Sequence, residues 1–202
     1  MPSRAPRSAT AIFSLSRFGS EIGRFSLNIP GEYNVHNATA AIVTALEYGL
    51  DVGSVADAIA SYRGIPRRLE HIGSRFGRLV FYDYAHHPTE IAASINALKS
   101  HMRMPITVIF KPHTYSRTKA LWKELCQALS LADHLILLDI YPAREQPIDQ
   151  ISSERLAEEI KDAIYSSNDD ILFKLDFQTR GGIVLMGAGD FKDIKDEIVN
   201  NY

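Results

Sequence analysis

The spacing of apolar residues divides the chain into two parts with different patterns. Up to about residue 65, the segments "AIFSLSRFG" and "GRFSLNIPG" predict two strands of a β-hairpin around the turn "GSEIG". Apolar residues then recur at helical spacing from Asn34 and again from Val52, which predicts two helices that end near Gly49 and Gly64. So short a segment buries little core of its own, so it is interpreted as part of a larger domain.

From about residue 67, continuous apolar runs alternate with helical patterns. The runs are "RLVFYD", "PITVIF", "HLILLD", "ILFKL" and "GIVLM", and the helical patterns cover 88–100, 116–130, 152–165 and 189–199. Pro88 suits a first helical position, and Ser116 and Ser152 suit N-caps. This alternation predicts an α/β fold, with a mostly parallel, doubly wound sheet that has helices on both faces.

Composition and charge mainly exclude classes of function. The net charge of −2 favours neither nucleic acid nor an anionic membrane surface as a partner. The single cysteine, Cys126, excludes a disulfide within the chain and a multi-cysteine zinc site. No apolar run reaches membrane-spanning length, and the predicted disordered start "MPSRAPRSAT" lacks the apolar segment of a secretory signal. A cytoplasmic protein is therefore expected.

Polar side chains concentrate in the loops that follow four predicted strands. These loops are "DYAHHP", "KPHTYSR", "DIYPARE" and "GAGD", whereas the connections at the opposite ends of the strands are plainer. In open parallel sheets the ligand lies beyond the carboxyl ends of the strands. The candidates for a site at that edge are Asp83, His86, His87, Lys111, His113, Tyr115, Arg117, Asp139, Tyr141, Arg144, Glu145 and Asp190.

Two kinds of chemistry fit the histidines in these loops. Asp83, one of the adjacent pair His86-His87, and His113 could form a three-ligand metal site, as in a metal-dependent hydrolase. However, adjacent residues in an extended loop point in opposite directions, and no helical His-x-x-x-His motif supports a metal. A histidine that binds an anionic ligand or orients a neighbouring residue is favoured.

Two further features each allow a functional and a structural interpretation. The "GAGD" turn could allow a ligand to approach the backbone closely, or its glycines could serve only to form a tight turn. It lacks the third glycine of a dinucleotide-binding motif. Arg67 and Arg68, at the junction of the two parts, could neutralise a phosphate or form a solvated hinge. Cys126 lies near an apolar helix face, so packing is favoured over nucleophilic chemistry.

Six segments, in their order and spacing, resemble the Mur ligases from about residue 12 to the end. They are "PGEYNVHNATAAI", "GIPRRLE", "YDYAHHPTEI", "FKPHTYSRTKAL", "LLDIYPAREQPI" and "LMGAGD". The resemblance is strongest to the ligases that add L-alanine to UDP-N-acetylmuramate in peptidoglycan precursor synthesis, with the murein peptide ligases of cell-wall recycling second. It implies an ATP-dependent amide ligase that uses Mg²⁺ and forms an acyl phosphate, which the alanine amine then attacks.

The resemblance also implies a domain assignment. Residues 11–65 would be the tail of the central ATPase domain, and residues 67–202 the complete Rossmann-like C-terminal domain. Nothing in the sequence matches the P-loop pattern G-x-x-x-x-G-K-[ST], which contains a Gly-Lys pair that this chain lacks. The UDP-binding domain and the P-loop are therefore expected to be missing partners, and the chain to be inactive alone. A non-catalytic module that docks onto a separately encoded ATPase half is an alternative.

Roles for individual residues follow from their positions in the family's motifs. Asn34 and Asn37 match residues that bind adenine, Arg67 or Arg68 a residue near the nucleotide phosphates, and Asp83 a ribose ligand. The residues that match the catalytic and substrate-facing positions are His86, His113 and Arg117, with Tyr115 and Arg144 as weaker candidates for substrate binding. Arg117 is the expected partner of the alanine carboxylate, because a guanidinium can pair with it in a bidentate manner. His87 is interpreted as structural.

Overall fold

The computed structural model describes residues 11–75, 77–167, 169–175 and 181–200. The chain forms two compact units, residues 1–65 and residues 66–202. The segment 1–10, predicted to be disordered, lies outside the described residues. Within the described ranges, no helix has both the length and the apolar character needed to cross a membrane.

The first unit contains an antiparallel hairpin and two helices. Strands β1 (Ala11–Arg17) and β2 (Ser20–Leu27) precede α1 (Glu32–Glu47) and α2 (Val52–Ser61). The predicted turn at "GSEIG" was wrong, because the chain reverses earlier, at Phe18 and Gly19. Both have positive φ angles, 50° and 84°, the combination that a two-residue hairpin turn requires. The small core consists of Phe25, Leu27, Ala38, Ile42 and Val55.

The second unit is built on a six-stranded sheet with the strand order β3-β4-β8-β5-β6-β7. Only β3 is antiparallel to its neighbour; the other pairings are parallel. The strands are β3 (Glu70–Arg75), β4 (Arg78–Asp83), β5 (Ile106–Phe110), β6 (His134–Leu137), β7 (Ala163–Tyr165) and β8 (Gly182–Met186). The helices are α3 (Pro88–Met102), α4 (Tyr115–Ala120), α5 (Trp122–Leu129), α6 (Ser153–Glu158), α7 (Ile171–Lys174) and α8 (Lys192–Asn200).

Helices cover both faces of this sheet, which confirms the predicted fold class. The chain moves in one direction from β4 to β7, and the return to β8 reverses that direction, so right-handed crossovers put α7 on the face opposite α3. Side chains of α7 and α8 form one core cluster with every second residue of β4 and β8. On the other side α3 packs against α5 and β5. The strands are continuously apolar because they are buried on both faces.

Two predicted elements near the end of the chain were wrong. The helix predicted over 152–165 ends at Glu158, and the last part of that segment forms strand β7 beside β6. Asp162 has a positive φ of 60°, which ends the helical path before Ala163. The predicted strand "ILFKL" is instead the short helix α7, because Ile171 and Leu175, four residues apart, are both buried in the core cluster.

Smaller corrections concern the helix predicted over 116–130 and the edge of the sheet. That helix is divided at Leu121 into α4 and α5, and Thr114 instead of Ser116 caps its start. Strand β3 was missed because its alternation is interrupted by a bulge between His71 and Gly73. Ser152 caps α6 and Pro88 begins α3, as predicted.

Candidate functional site

Backbone hydrogen bonds bring the four polar loops to one edge of the sheet. The N–H of Gly187, after β8, donates to the carbonyl of Asp83 at 3.0 Å, which joins that turn to the end of β4. The loops after β5 and β6 are joined by a parallel bridge between His113 and Tyr141. In that bridge, the Tyr141 N–H donates to Pro112 O at 2.8 Å, and Thr114 N–H donates to Tyr141 O at 3.0 Å. The predicted clustering of polar residues at this edge is therefore a feature of the structure.

His86 is held by the loop that follows β4. Its Nδ1 lies 2.9 Å from the carbonyl oxygen of Tyr84, and its ring meets the Tyr84 ring edge-on with centroids 5.4 Å apart. Glu90, one helical turn later, places Oε2 3.6 Å from the same Nδ1. The side chain keeps 21% of its surface exposed, so its free edge is accessible.

Glu90 organises this loop as well as contacting His86. Its Oε2 accepts hydrogen bonds from the backbone N–H groups of His86 and His87, both at 3.2 Å. His87 is the N-cap of α3, and its Nδ1 accepts from Thr89 N–H, so the two residues form a capping box. Burial raises the pKa of Glu90, but the two N–H donors, with His86 and Arg68, lower it by more. His87 therefore has the structural position that the sequence suggested.

His113 is held on three sides. Arg117 Nη1 lies 3.2 Å from its Nδ1, and the Tyr141 ring stacks on it with centroids 5.6 Å apart and an interplanar angle of 19°. The His86 ring lies across it, 5.9 Å between centroids. Burial lowers the pKa of His113, and the positive charge of Arg117 and the proximity of His86 lower it further. His113 is thus kept neutral near pH 7.

The three predicted catalytic residues, His86, His113 and Arg117, are therefore brought together. Two histidines and a guanidinium at one edge can bind an anion, accept or donate protons, and hold a carboxylate. Such a group can support acyl transfer to an amine, because that reaction needs both charge neutralisation and proton removal.

Asp83 is almost wholly buried, with 1% of its surface exposed. Its Oδ1 accepts from Ala85 N–H at 3.1 Å, while Oδ2 is buried without a hydrogen-bond partner in good geometry. Burial raises the pKa of this carboxyl, although the Ser94 hydroxyl and Ala85 N–H favour its charged form. Because Oδ2 is buried, a ribose could reach it only if the surrounding residues move, so the ribose role stays a prediction.

Arg67 packs beneath the loop with its guanidinium over two aromatic rings. Its Cζ lies 4.4 Å from the centroid of Tyr84 and 5.1 Å from that of Tyr82. Nη2 approaches Gly189 O at 3.4 Å, and the Arg67 carbonyl accepts from Tyr84 N–H at 2.7 Å. Arg68 is more exposed and lies 3.5 Å from Glu90. Of the two arginines, Arg68 is therefore the more accessible to an anionic ligand.

Lys111 supports the "GAGD" turn. Its Nζ donates to Asp190 O at 2.9 Å and lies 5.0 Å from the centroid of the Phe191 ring. A Cβ at Gly189 would meet the Lys111 side chain at 2.8 Å, and one at Gly187 would lie 2.5 Å from the Lys111 carbonyl oxygen. Gly187 is thus required for close packing of the turn against β5, whereas a Cβ at Gly189 would only displace the flexible Lys111 side chain.

The other predicted site residues lie outside the cluster of His86, His113 and Arg117. Tyr115 is half-buried at the start of α4, and Arg144 is exposed, with no hydrogen bond or ion pair to another of the described residues. In the first unit, Asn34 and Asn37 lie on one side of the first turns of α1. Asn34 Nδ2 donates to Pro30 O at 2.6 Å, and Asn37 is exposed.

Among the described residues, no three His, Cys, Asp or Glu side chains could hold a metal ion together.

The sequence named Glu145 and Tyr141 only as candidates at this edge, without a role, and it did not single out Tyr84 or Glu90. Glu145 accepts from the backbone N–H of Ser116 at 2.8 Å and from its hydroxyl, which anchors the start of α4. These hydrogen bonds lower the pKa of Glu145. Tyr141 and Tyr84 act through ring contacts across loops, which a sequence pattern does not reveal. Glu90 could have been found from the capping-box spacing, three residues after the N-cap.

Comparison with known proteins agrees with the resemblance to the Mur ligases. The family profile described as "Mur ligase, glutamate ligase domain" matches residues 67–189. A UDP-N-acetylmuramate–L-alanine ligase of Alkaliphilus metalliredigens is 42% identical over 184 residues, which is 88% of this chain and 40% of that protein. The chain thus spans less than half the length of this curated relative.

Two solved structures have the same fold over most of the chain. The UDP-N-acetylmuramate–alanine ligase of Thermotoga maritima superimposes with a TM-score of 0.74 at 24% identity, covering 89% of this chain and 40% of that one. A murein peptide ligase from Psychrobacter arcticus gives a TM-score of 0.62 at 26% identity, covering 98% and 42%. At 24% identity the first of these likenesses shows the fold alone.

Proposed function

The chain belongs to the Mur ligase family, and we propose that it forms the carboxyl-terminal part of an ATP-dependent ligase that joins L-alanine to UDP-N-acetylmuramate. The observation that carries this proposal is the cluster of His86, His113 and Arg117 at the carboxyl edge of the sheet, in a chain 42% identical to a ligase of that name. We expect the complete protein to work in the cytoplasm on peptidoglycan precursors.

The nucleotide roles are assigned within each unit. In the first unit Asn34 and Asn37 are proposed to bind adenine, since an amide side chain can pair with both a ring nitrogen and the exocyclic amino group. In the second unit Arg68, exposed beside Glu90, is proposed to meet the phosphates, with Arg67 supporting it from beneath. Asp83 is proposed to accept the ribose hydroxyls through Oδ2.

The substrate roles belong to the second unit. Arg117 donates one N–H to His113 Nδ1. The other N–H groups of its guanidinium are then available for a bidentate pair with the carboxylate of the amino acid. His86 and His113 would face the acyl phosphate and the amine, where a held geometry lowers the entropic part of the barrier. Tyr115 and Arg144 border this region and are proposed as secondary contacts.

Magnesium would neutralise charge on the transferring phosphoryl group in the complete enzyme. The sequence contains no P-loop pattern, which the resemblance assigns to the rest of the central domain. The chain alone is accordingly expected to show no ATP turnover. Robust ATP hydrolysis by the purified 202-residue chain would contradict the proposal.

A comparison of amine substrates tests the proposed specificity. The complete protein would be given ATP, UDP-N-acetylmuramate and either L-alanine or a cell-wall tripeptide, and the amide product measured by mass spectrometry. We expect product with alanine and little with tripeptide. The opposite preference would favour a murein peptide ligase, the class to which one structural neighbour with 98% coverage of the chain belongs. A free-standing metal-dependent hydrolase would instead show bound zinc or manganese that is lost in His113→Ala.

A further inference from the structure

We propose that Glu90 is a positioning residue, which together with the Tyr84 carbonyl holds His86 as a proton acceptor opposite a proton-donating His113. The proposal deepens the proposed function and depends on it for its catalytic part. It rests on two hydrogen bonds at the carboxyl edge of the sheet, each of which allows only one direction, and on the proximity of Glu90 and of the His113 ring to His86.

The tautomer of His86 follows from its backbone partner. A carbonyl oxygen can only accept, so the 2.9 Å contact with Tyr84 O requires a proton on His86 Nδ1. In the neutral ring Nε2 then carries a lone pair and no proton. The carboxylate of Glu90, 3.6 Å from Nδ1, favours the same arrangement.

The tautomer of His113 is the opposite one. A guanidinium can only donate, so the 3.2 Å contact with Arg117 Nη1 requires an unprotonated His113 Nδ1. The neutral ring therefore carries its proton on Nε2. The two rings lie 5.9 Å apart, so an accepting nitrogen and a donating nitrogen belong to neighbouring side chains.

This arrangement matches the proton movements of amide formation from an acyl phosphate. The amine nitrogen attacks the acyl carbon and forms the C–N bond, which leaves an extra proton on nitrogen. His86 Nε2 accepts that proton, and the resulting imidazolium is balanced by Glu90. The C–O bond to phosphate breaks, phosphate leaves with the electron pair, and His113 Nε2–H donates a hydrogen bond to an oxygen of the reacting group.

The first test uses the 202-residue chain and needs no catalysis. Its seven histidines would be ¹⁵N-labelled and their ring nitrogens observed by long-range ¹H–¹⁵N NMR at about pH 8, where exposed histidines are neutral. The spectra of His86→Gln and His113→Gln assign the two signals. We expect the proton on Nδ1 in His86 and on Nε2 in His113. The same tautomer in both rings would overturn the proposal.

The second test measures the catalytic consequence in the complete protein. Glu90→Gln keeps an oxygen to accept the two backbone N–H groups but removes the charge beside His86. Asp133→Asn is the matched control, because Asp133 likewise accepts a backbone N–H, from Ile106 at 2.8 Å, and pairs with Lys99 at 2.8 Å. It lies at the opposite ends of the strands, where β6 begins.

We expect Glu90→Gln to lower kcat about tenfold or more while KM for alanine changes less than about twofold, and Asp133→Asn to change neither. Equal kinetics for the two variants would overturn the positioning role. Absence of any ligase activity in the unmodified complete protein would contradict the proposed function instead, and the tautomers would still be measurable in the chain.

Discussion

Replacing Asp83 with asparagine is expected to stabilise the second unit at neutral pH. The carboxyl is 1% exposed, its Oδ2 has no hydrogen-bond partner in good geometry, and burial raises its pKa above the ordinary 3.8. A group with a raised folded-state pKa contributes stability below its unfolded value, and that contribution is lost as pH rises through the folded value. At pH 7 the charged carboxylate is therefore a cost to folding.

The magnitude follows from the contacts of the two oxygens. A buried acceptor without a hydrogen-bond partner costs about 1–3 kcal/mol, and asparagine removes the charge from this acceptor. The bond from Ala85 N–H to a neutral oxygen is weaker by about 0.5–1 kcal/mol. The net gain is therefore at most about 2.5 kcal/mol and centred near 1 kcal/mol, which is roughly 3–5 °C in Tm for a unit of this size.

Urea unfolding of the 202-residue chain at pH 4 and pH 8, followed by circular dichroism, checks this prediction. The gain of Asp83→Asn over the unmodified chain should be larger at pH 8 than at pH 4, because protonation removes the cost at the lower pH. Asp83→Ala, which also loses the Ala85 contact, serves as a control and should not gain as much. An asparagine variant that is destabilised equally at both pH values would refute the reasoning.

Three further predictions concern packing and one strong hydrogen bond. Gly187→Ala should prevent correct closure of the last turn, since its Cβ would lie 2.5 Å from Lys111 O at a φ of 143°; soluble yield and thermal unfolding test this, and unchanged values would contradict it. Leu98→Ala, fully buried on α3, should cost about 2–5 kcal/mol in urea unfolding, and a cost below about 1 kcal/mol would show that the site is loosely packed. The hydrogen bond to Asp139 raises the pKa of Tyr165 to about 12, so Asp139→Asn should make one late-titrating tyrosine ionise nearer 10 in an ultraviolet titration; an unchanged curve would contradict that cause.

The alternation of strands and helices could be predicted from the sequence because most strands of this sheet are buried on both faces. Continuous apolar runs such as "ITVIF" leave little ambiguity when loops with glycine or proline bound them. The prediction failed where a short segment had the composition of a strand but the apolar spacing of a helix. Ile171 and Leu175 suit a strand by composition, but their burial four residues apart is helical, and only the core cluster decides between the two.

The location of the candidate site could also be predicted, since it follows from topology. Parallel strands place the loops after β4, β5 and β8 at one edge, so His86, His113 and Arg117 were expected to meet. Their partners were harder to foresee. Tyr141 reaches His113 through a bridge between loops, and Arg67, which has a positive φ of 65°, lies against the Tyr84 ring; the sequence indicates neither contact.

Transfer of oxygen from the substrate carboxylate to phosphate tests the central claim most directly. UDP-N-acetylmuramate labelled with ¹⁸O in its carboxylate would be incubated with ATP, L-alanine and the complete protein, and the released phosphate analysed by mass spectrometry. If an acyl phosphate forms and the amine displaces phosphate, one labelled oxygen appears in phosphate for each amide made. Amide formation with unlabelled phosphate, or phosphate release without amide, would contradict the account.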